Sequence, residues 1–262
     1  MIARPHVLGA FLVTLVLPVA GCDMAPPEGE GPGHRQQELS LSPEQELELG
    51  RKAYREVLEQ SRALPHNSKE VRRVTQVGER IADTVKIEPL MREINLHVQD
   101  YRFEWEFNVL EERHVNAFCL PGGKVAVFTG LLHVVQNDDQ LAAVLGHEVA
   151  HALAHHASER LARQAREGGG FMAALRDRAF DREQESEADH IGVFLMTFAG
   201  YDPDEAVEFW ERMRRLSSGW HPPEILSDHP SDARRIEQIK EWKNRAAAAK
   251  RAYDAGQTVK DK

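Results

Sequence analysis

Apolar residues recur along this 262-residue chain with two different periods, and the switch between them divides it. Ser42-Pro43-Glu44-Gln45 supplies a cap, a proline at the first helical position and a glutamine at the third, so a helix is predicted from there to about Gln60. A second helix is predicted from Asn67, with Val71, Val74, Val77, Ile81 and Val85 at helical spacing. From Ile94 the period falls to two. Ile94, Leu96 and Val98, then Phe103, Trp105, Phe107 and Val109, alternate with polar residues as half-buried strands do. Residues 114–120 and 124–129 predict two further strands around a Pro121-Gly122-Gly123 turn, giving a small antiparallel sheet, and 130–135 a short helical connector.

The helical period then returns. Asn137 to Arg166 reads as one long helix, capped by Asn137, with Gln140 placed to reach back as in a capping box and Asp138 and Asp139 at the positive end of its dipole. Leu141, Val144, Leu145, Val149 and Leu153 mark its buried stripe. Gly168, Gly169 and Gly170 end it, and residues 168–181, carrying Phe171 and Met172, form either a lid or a plain connector. Further helices are predicted over 182–199, from Asp202 to about Leu216 and from Asp232 past Trp242, with a loop over 217–231. The pattern predicts an α+β fold, mostly helical, and no internal repeat is visible.

Composition adds a core and excludes one partner. Hydrophobic residues make up 42% of the chain and the net charge is −9, which disfavours nucleic acid. Residues 1–21, with Arg4 and the apolar run Val7 to Val19, read as an export signal, and no later stretch reaches the length of a membrane span. Val19-Ala20-Gly21-Cys22 resembles the bacterial lipobox, which would make Cys22 a lipidation site; the alternative is an ordinary secretory signal with a chance cysteine. Several acyl chains on one residue anchor stably. Residues 22–41, rich in Pro, Gly and Glu, are expected to be a disordered tether with a reach of roughly 25 Å. One domain over 42–245 and a charged tail over 246–262 complete the division. The location implied is the bacterial cell envelope, facing the periplasm; Asp23 leaves inner against outer membrane open. Cys119 then has no cysteine to pair with, and reads as a small apolar filler rather than a nucleophile because no cysteine-protease signature surrounds it.

The chemistry lies in His147-Glu148-Val149-Ala150-His151. Four helical residues turn about 400°, so both imidazoles lie on one face. They can grip one zinc ion, with Glu148 within reach of water held on it. The pentapeptide alone reads equally well as a solvated helix face with scattered histidines. Glu185 and Asp189, one turn apart on the 182–199 helix, change that balance. A catalytic zinc needs a third protein ligand, for which Glu185 is the candidate. Asp189 is then placed to accept a hydrogen bond from a ligand imidazole and fix its tautomer. His155, His156 and His190 are left out of the ligand set.

With His156 five positions after His151, Glu185-x-x-Ala188-Asp189-x-x-Gly192, Asn116-Ala117-Phe118, Leu120 to Gly123, Thr129-Gly130-Leu131, Ser227-x-His229-Pro230 and Arg235-Ile236, the chain resembles a known family. It is the gluzincin zinc metallopeptidase family of the CaaX prenyl proteases and HtpX, in its soluble bacterial periplasmic, BepA-like branch, here as a lipoprotein without a tetratricopeptide domain. The likeness spans roughly 45–240. The metzincin spacing fails, since its glycine and third histidine would fall on Ala154 and Ala157.

The resemblance implies a zincin-like fold with one zinc per chain. It implies an edge strand at Asn116 and Ala117 on which an extended peptide is laid, and a site role for His229 as a fourth ligand or a catalytic group facing the substrate. Arg235 is expected to be structural or substrate-contacting. The function implied is a membrane-anchored zinc endopeptidase acting on misfolded or unassembled envelope proteins. Its rival is a chaperone or assembly factor that binds client strands and rarely cuts.

Overall fold

The computed structural model describes residues 37–96, 98, 100–166, 182–217, 223–229 and 233–257. The export signal, Cys22, most of the tether and the 168–181 segment lie outside them. Helix α1 (Pro43–Gln60) starts with the expected reciprocal cap between Ser42 and Gln45. Helix α2 (Lys69–Asp83) buries Val71, Val74, Val77 and Ile81 and leads through a 3-10 turn, Thr84–Lys86, into the short α3 (Glu88–Glu93).

The strand expected from Ile94 is absent among the described residues. Asn95 takes a left-handed φ of 55°, Leu96 N donates to Met91 O and Asn95 N to Arg92 O, so these residues close α3 as a Schellman cap. The apolar alternation there came from Ile94 and Leu96 packing into the core from a helix end.

Strands β1 (Glu106–Leu110), β2 (Ala117–Leu120) and β3 (Lys124–Phe128) form the sheet, in the order β1-β3-β2. The antiparallel expectation is half corrected. The β2–β3 hairpin is antiparallel across the Pro121-Gly122-Gly123 turn, but β1 pairs with β3 in parallel, Phe107 opposite Val125. A period of two reports which face is buried and says nothing about which strand is the neighbour. Here the chain leaves β1, reverses, and reaches β2 on the far side of β3, which leaves β2 as an outer strand.

After the single-turn α4 (Thr129–Leu132), Asn137 caps α5 (Asp138–Leu153), its side chain accepting from Gln140 N at 2.8 Å. Gln140 accepts from Gln136 N rather than from the N-cap itself. The long helix expected over 137–166 is broken. His155 has φ +54°, and α6 (His156–Arg166) sets off afresh. His155 is held there by Glu46, whose Oε2 lies 2.9 Å from Nδ1, and by Tyr101 stacked on its ring at 3.6 Å. The last tether residues pack on this break: Gln37 donates to Ala154 O and Leu41 N to Ser158 Oγ.

Helices α7 (Arg182–Phe198), α8 (Asp204–Ser217), the single-turn α9 (Ile225–Asp228) and α10 (Ala233–Asp254) complete the domain. Helix α10 continues to Asp254 with Ala246 fully buried, so residues 246–254 are helix rather than tail. Helix α5 is buried all round from Gln140 to Leu153 and packs on α7, α2, α8 and β2, while α7 also packs on α10. No described helix is long and apolar enough to cross a membrane.

Helices α5 and α7 meet backbone to backbone. A Cβ placed on Gly192 would lie 2.8 Å from His147 N, and one on Gly146 would lie 2.8 Å from Gly192 O. Both neighbours are backbone atoms that cannot rotate away. Helix propensity alone would favour alanine over glycine at either position by about 1 kcal/mol. Gly192→Ala is instead expected to destabilise by about 1–3 kcal/mol through overpacking, read by chemical denaturation. A stabilised variant would show that the helices do not need this approach.

Candidate metal centre

The close crossing of α5 and α7 brings Glu185 over the face of α5 that carries His147 and His151. The two Nε2 atoms are 3.0 Å apart, and the Glu185 oxygens lie 3.5 Å from His147 Nε2 and 3.4 Å from His151 Nε2. His229, just after α9, adds Nδ1 at 3.1 Å from His147 Nε2 and 2.9 Å from Glu185 Oε1. One donor atom from each of these four buried residues lies within 4.8 Å of the others. Three imidazole nitrogens and a carboxylate oxygen aimed at one point, with no sulfur among them, suit zinc. Clustered lone pairs of this kind repel unless they share a proton or a cation. Glu148, next to His147, is buried with Oε1 lacking a hydrogen-bond partner and 3.4 Å from His229 Nε2.

A second layer of charge holds this cluster. Arg235, from α10, donates through Nε and Nη2 to both Asp189 oxygens, at 2.6 and 2.8 Å, and its Nη1 lies 2.6 Å from Glu185 Oε2. Asp189 Oδ1 is in turn 3.0 Å from His147 Nδ1, the position expected of it from spacing. Trp210 closes the side, its ring 5.4 Å from that of His147 and 4.9 Å from the Arg235 guanidinium carbon.

Burial and these partners pull the titrations apart. Burial raises the Glu185 carboxyl, but Arg235, His229 and His147 outweigh it and hold the group well below the usual range. Asp189 is lowered in the same way, with Arg235 again overcoming burial. Burial lowers His147, yet Glu185 and Asp189 carry it up to about 9. His151 falls well below its ordinary value through burial, and burial pushes Glu148 up. The Glu148 carboxyl is thereby the more basic of the two carboxylates nearest the cluster.

The cluster opens on a cleft of about 290 Å³ between α1, β2 and the α5–α6 junction, lined among others by Val57, Phe118, Leu120, Glu148, His151 and His229. Asn116 and Ala117 are not on its wall. Both are fully buried at the head of β2; Asn116 donates to Asp228 Oδ2 at 2.9 Å and accepts from Ala117 N. With Ile225 N donating to Val115 O, this contact ties α9, and so His229, to the sheet. The cleft wall is made further along β2, over 118–121. Cys119 lies there with its thiol pushed well above the ordinary value by burial, which suits a filler and not a thiolate.

Three residues were missed or undervalued in the sequence. Nothing in spacing linked Arg235 to both acids, since it lies 46 residues beyond Asp189. Trp210 gave no signal. His156, set aside as having no vacancy on the metal, touches His151 from behind. Arg235→Met would leave two buried carboxylates without their cation. Urea unfolding in the presence of a chelator is expected to show a loss of about 3–5 kcal/mol, and an unchanged midpoint would mean the acids do not depend on it.

The profile of Peptidase family M48 matches residues 72–167 and 169–243. The chain is 38% identical over 169 residues to the mitochondrial metalloendopeptidase OMA1 of Schizosaccharomyces pombe, covering 58% of this chain and 50% of that one. It is 32% identical over 168 residues to human OMA1, covering 53% and 32%, and 27% identical over 170 residues to the beta-barrel assembly-enhancing protease of Escherichia coli, covering 53% and 34%. It thus spans half or less of the length of these relatives. With the donor cluster sitting inside the matched stretch, the chain belongs to Peptidase family M48, whose metallopeptidases are zinc-dependent.

Proposed function

We propose that this chain is a zinc-dependent endopeptidase that is anchored to a membrane of the bacterial cell envelope through lipid on Cys22 and cleaves misfolded or unassembled envelope proteins. The observation that carries the reading is the convergence of His147, His151, Glu185 and His229, with Glu148 beside them and with His151, His229 and Glu148 on the wall of the cleft. His147, His151 and Glu185 hold the zinc in this proposal. When bound, the metal supplies a Lewis acid that acidifies water and polarises a carbonyl.

The chain's own residues do the rest. Glu148, made more basic by burial, takes a proton from the attacking water and passes it to the leaving amine. His229 faces Glu148 through Nε2 and donates to the developing oxyanion. Asp189 and Arg235 hold His147 in the tautomer that presents Nε2. An extended peptide lies along the outer strand β2, its side chains meeting Phe118, Leu120 and Val57. Asn116 and Ala117 serve this binding from the buried head of the strand, by fixing its edge and the segment that carries His229.

Envelope location rests on the sequence of residues 1–41 and on the likeness to the Escherichia coli beta-barrel assembly-enhancing protease.

Glu148→Gln is expected to retain about one zinc per chain and to cleave unfolded casein about 10²–10⁴-fold more slowly than wild type. Should wild type with zinc never cleave while both proteins bind unfolded clients equally, the assembly-factor reading replaces this one. His229→Ala is expected to keep its zinc and lose about 10²–10³ in kcat. Loss of zinc from that variant would make His229 a ligand and not an oxyanion donor.

A further inference from the structure

His151 turns Nε2 to the donor cluster, so the proton of its neutral ring sits on Nδ1. That Nδ1 lies 2.8 Å from Nδ1 of His156. Two ring nitrogens at this distance require one donor and one acceptor, so His156 Nδ1 is bare and its own proton is on Nε2. Nε2 in turn lies 3.1 Å from Glu187 Oε2. Each proton then has an acceptor, and no other assignment of neutral rings leaves His151 Nε2 open to a metal. All three side chains are buried, His156 completely.

The break after α5 makes this contact. In an unbroken helix His156 would stand five residues, about 500°, beyond His151, and so roughly 140° round the axis from it. The left-handed His155 turns the chain back so that the first residue of α6 faces the helix it has just left. Glu187 reaches it from α7. Two helical positions rotate a side chain by about 200°, so Glu187 leaves the face that carries Glu185 and meets α6 instead.

We infer that His156 and Glu187 form a hydrogen-bonded relay that positions His151: His151 Nδ1–H donates to His156 Nδ1, and His156 Nε2–H donates to Glu187. The two imidazoles of α5 are thereby oriented by different partners. Asp189 and Arg235 stand behind His147; His156 and Glu187 stand behind His151. A carboxylate at the end of such a chain raises the basicity of the ligand nitrogen and locks the ring plane, which strengthens metal binding. Gln184 steadies the relay by donating to His156 O at 3.3 Å and to Glu159 Oε2 at 2.8 Å.

The inference rests on His151 being a zinc ligand, and the experiment separates the two. Zinc affinity of the full chain is measured by competition with a chromophoric chelator, with circular dichroism and the melting temperature of the zinc-free protein as folding controls. His156→Leu, which fills the space without polar atoms, is expected to bind zinc about 10–100-fold more weakly. His156→Gln is expected to retain most of the affinity, because its Oε1 can accept from His151 while its Nε2 donates to Glu187. A folded His156→Leu with wild-type affinity would overturn the relay, as would a folded His156→Gln as weak as the leucine variant. If His156→Leu does not fold, Glu187→Leu decides: weakened binding supports the relay and unchanged binding overturns it. Failure of wild type to bind zinc would instead strike the site itself.

Discussion

The structure depends on the approach of two backbones. Gly146 on α5 and Gly192 on α7 let the helices touch without side chains between them, and the reach of Glu185 and Asp189 to the α5 imidazoles is set by that distance. Glu185 and Asp189 are short side chains on α7; Glu185 must meet His147 and His151, and Asp189 must meet His147. Spread the helices by the width of a methyl group and the carboxylates no longer touch the imidazoles. Burial of α5 on all sides then fixes the pair in place, with α2, α8 and the sheet around it.

So many ionisable groups in a dry interior need balance. Two acids on α7 face one arginine and a set of imidazoles, and Arg235 serves both acids at once through its planar fork. The arrangement gives the two glutamates of the centre opposite titration behaviour. Glu185 is held ionised in the cluster, while Glu148, with no such cation beside it, is pushed towards proton exchange by the same burial. His229 enters from a different part of the chain, tied to the sheet through Asp228 and Asn116.

Much of the centre was legible because helix periodicity converts sequence separation into direction. His147 and His151, four apart, and Glu185 and Asp189, four apart, each had to share a face, and both pairs lie where that rule puts them. What escaped was whatever depended on a break in periodicity or on distant neighbours. The αL turn at His155 is held by Glu46 and Tyr101, more than fifty residues upstream, so the helix read as continuous and His156 was left out of the ligand set with no contact assigned to it. The parallel pairing of β1 with β3 escaped for a similar reason, as alternation fixes the buried face but not the partner strand. Ala117 opens the outer strand and Asn116 stands just before it, and their burial and the displacement of the cleft wall to 118–121 could be seen only once this segment was packed against α5 and tied to α9.

The central claim is that α5 and α7 together hold one zinc ion through nitrogen and oxygen donors. X-ray absorption at the zinc edge of the purified chain tests it most directly. The account predicts about one zinc per chain, ligands at roughly 2.0–2.2 Å, and outer-shell scattering from at least two imidazoles. A sulfur ligand at about 2.3 Å, or a spectrum without imidazole scattering, would contradict it.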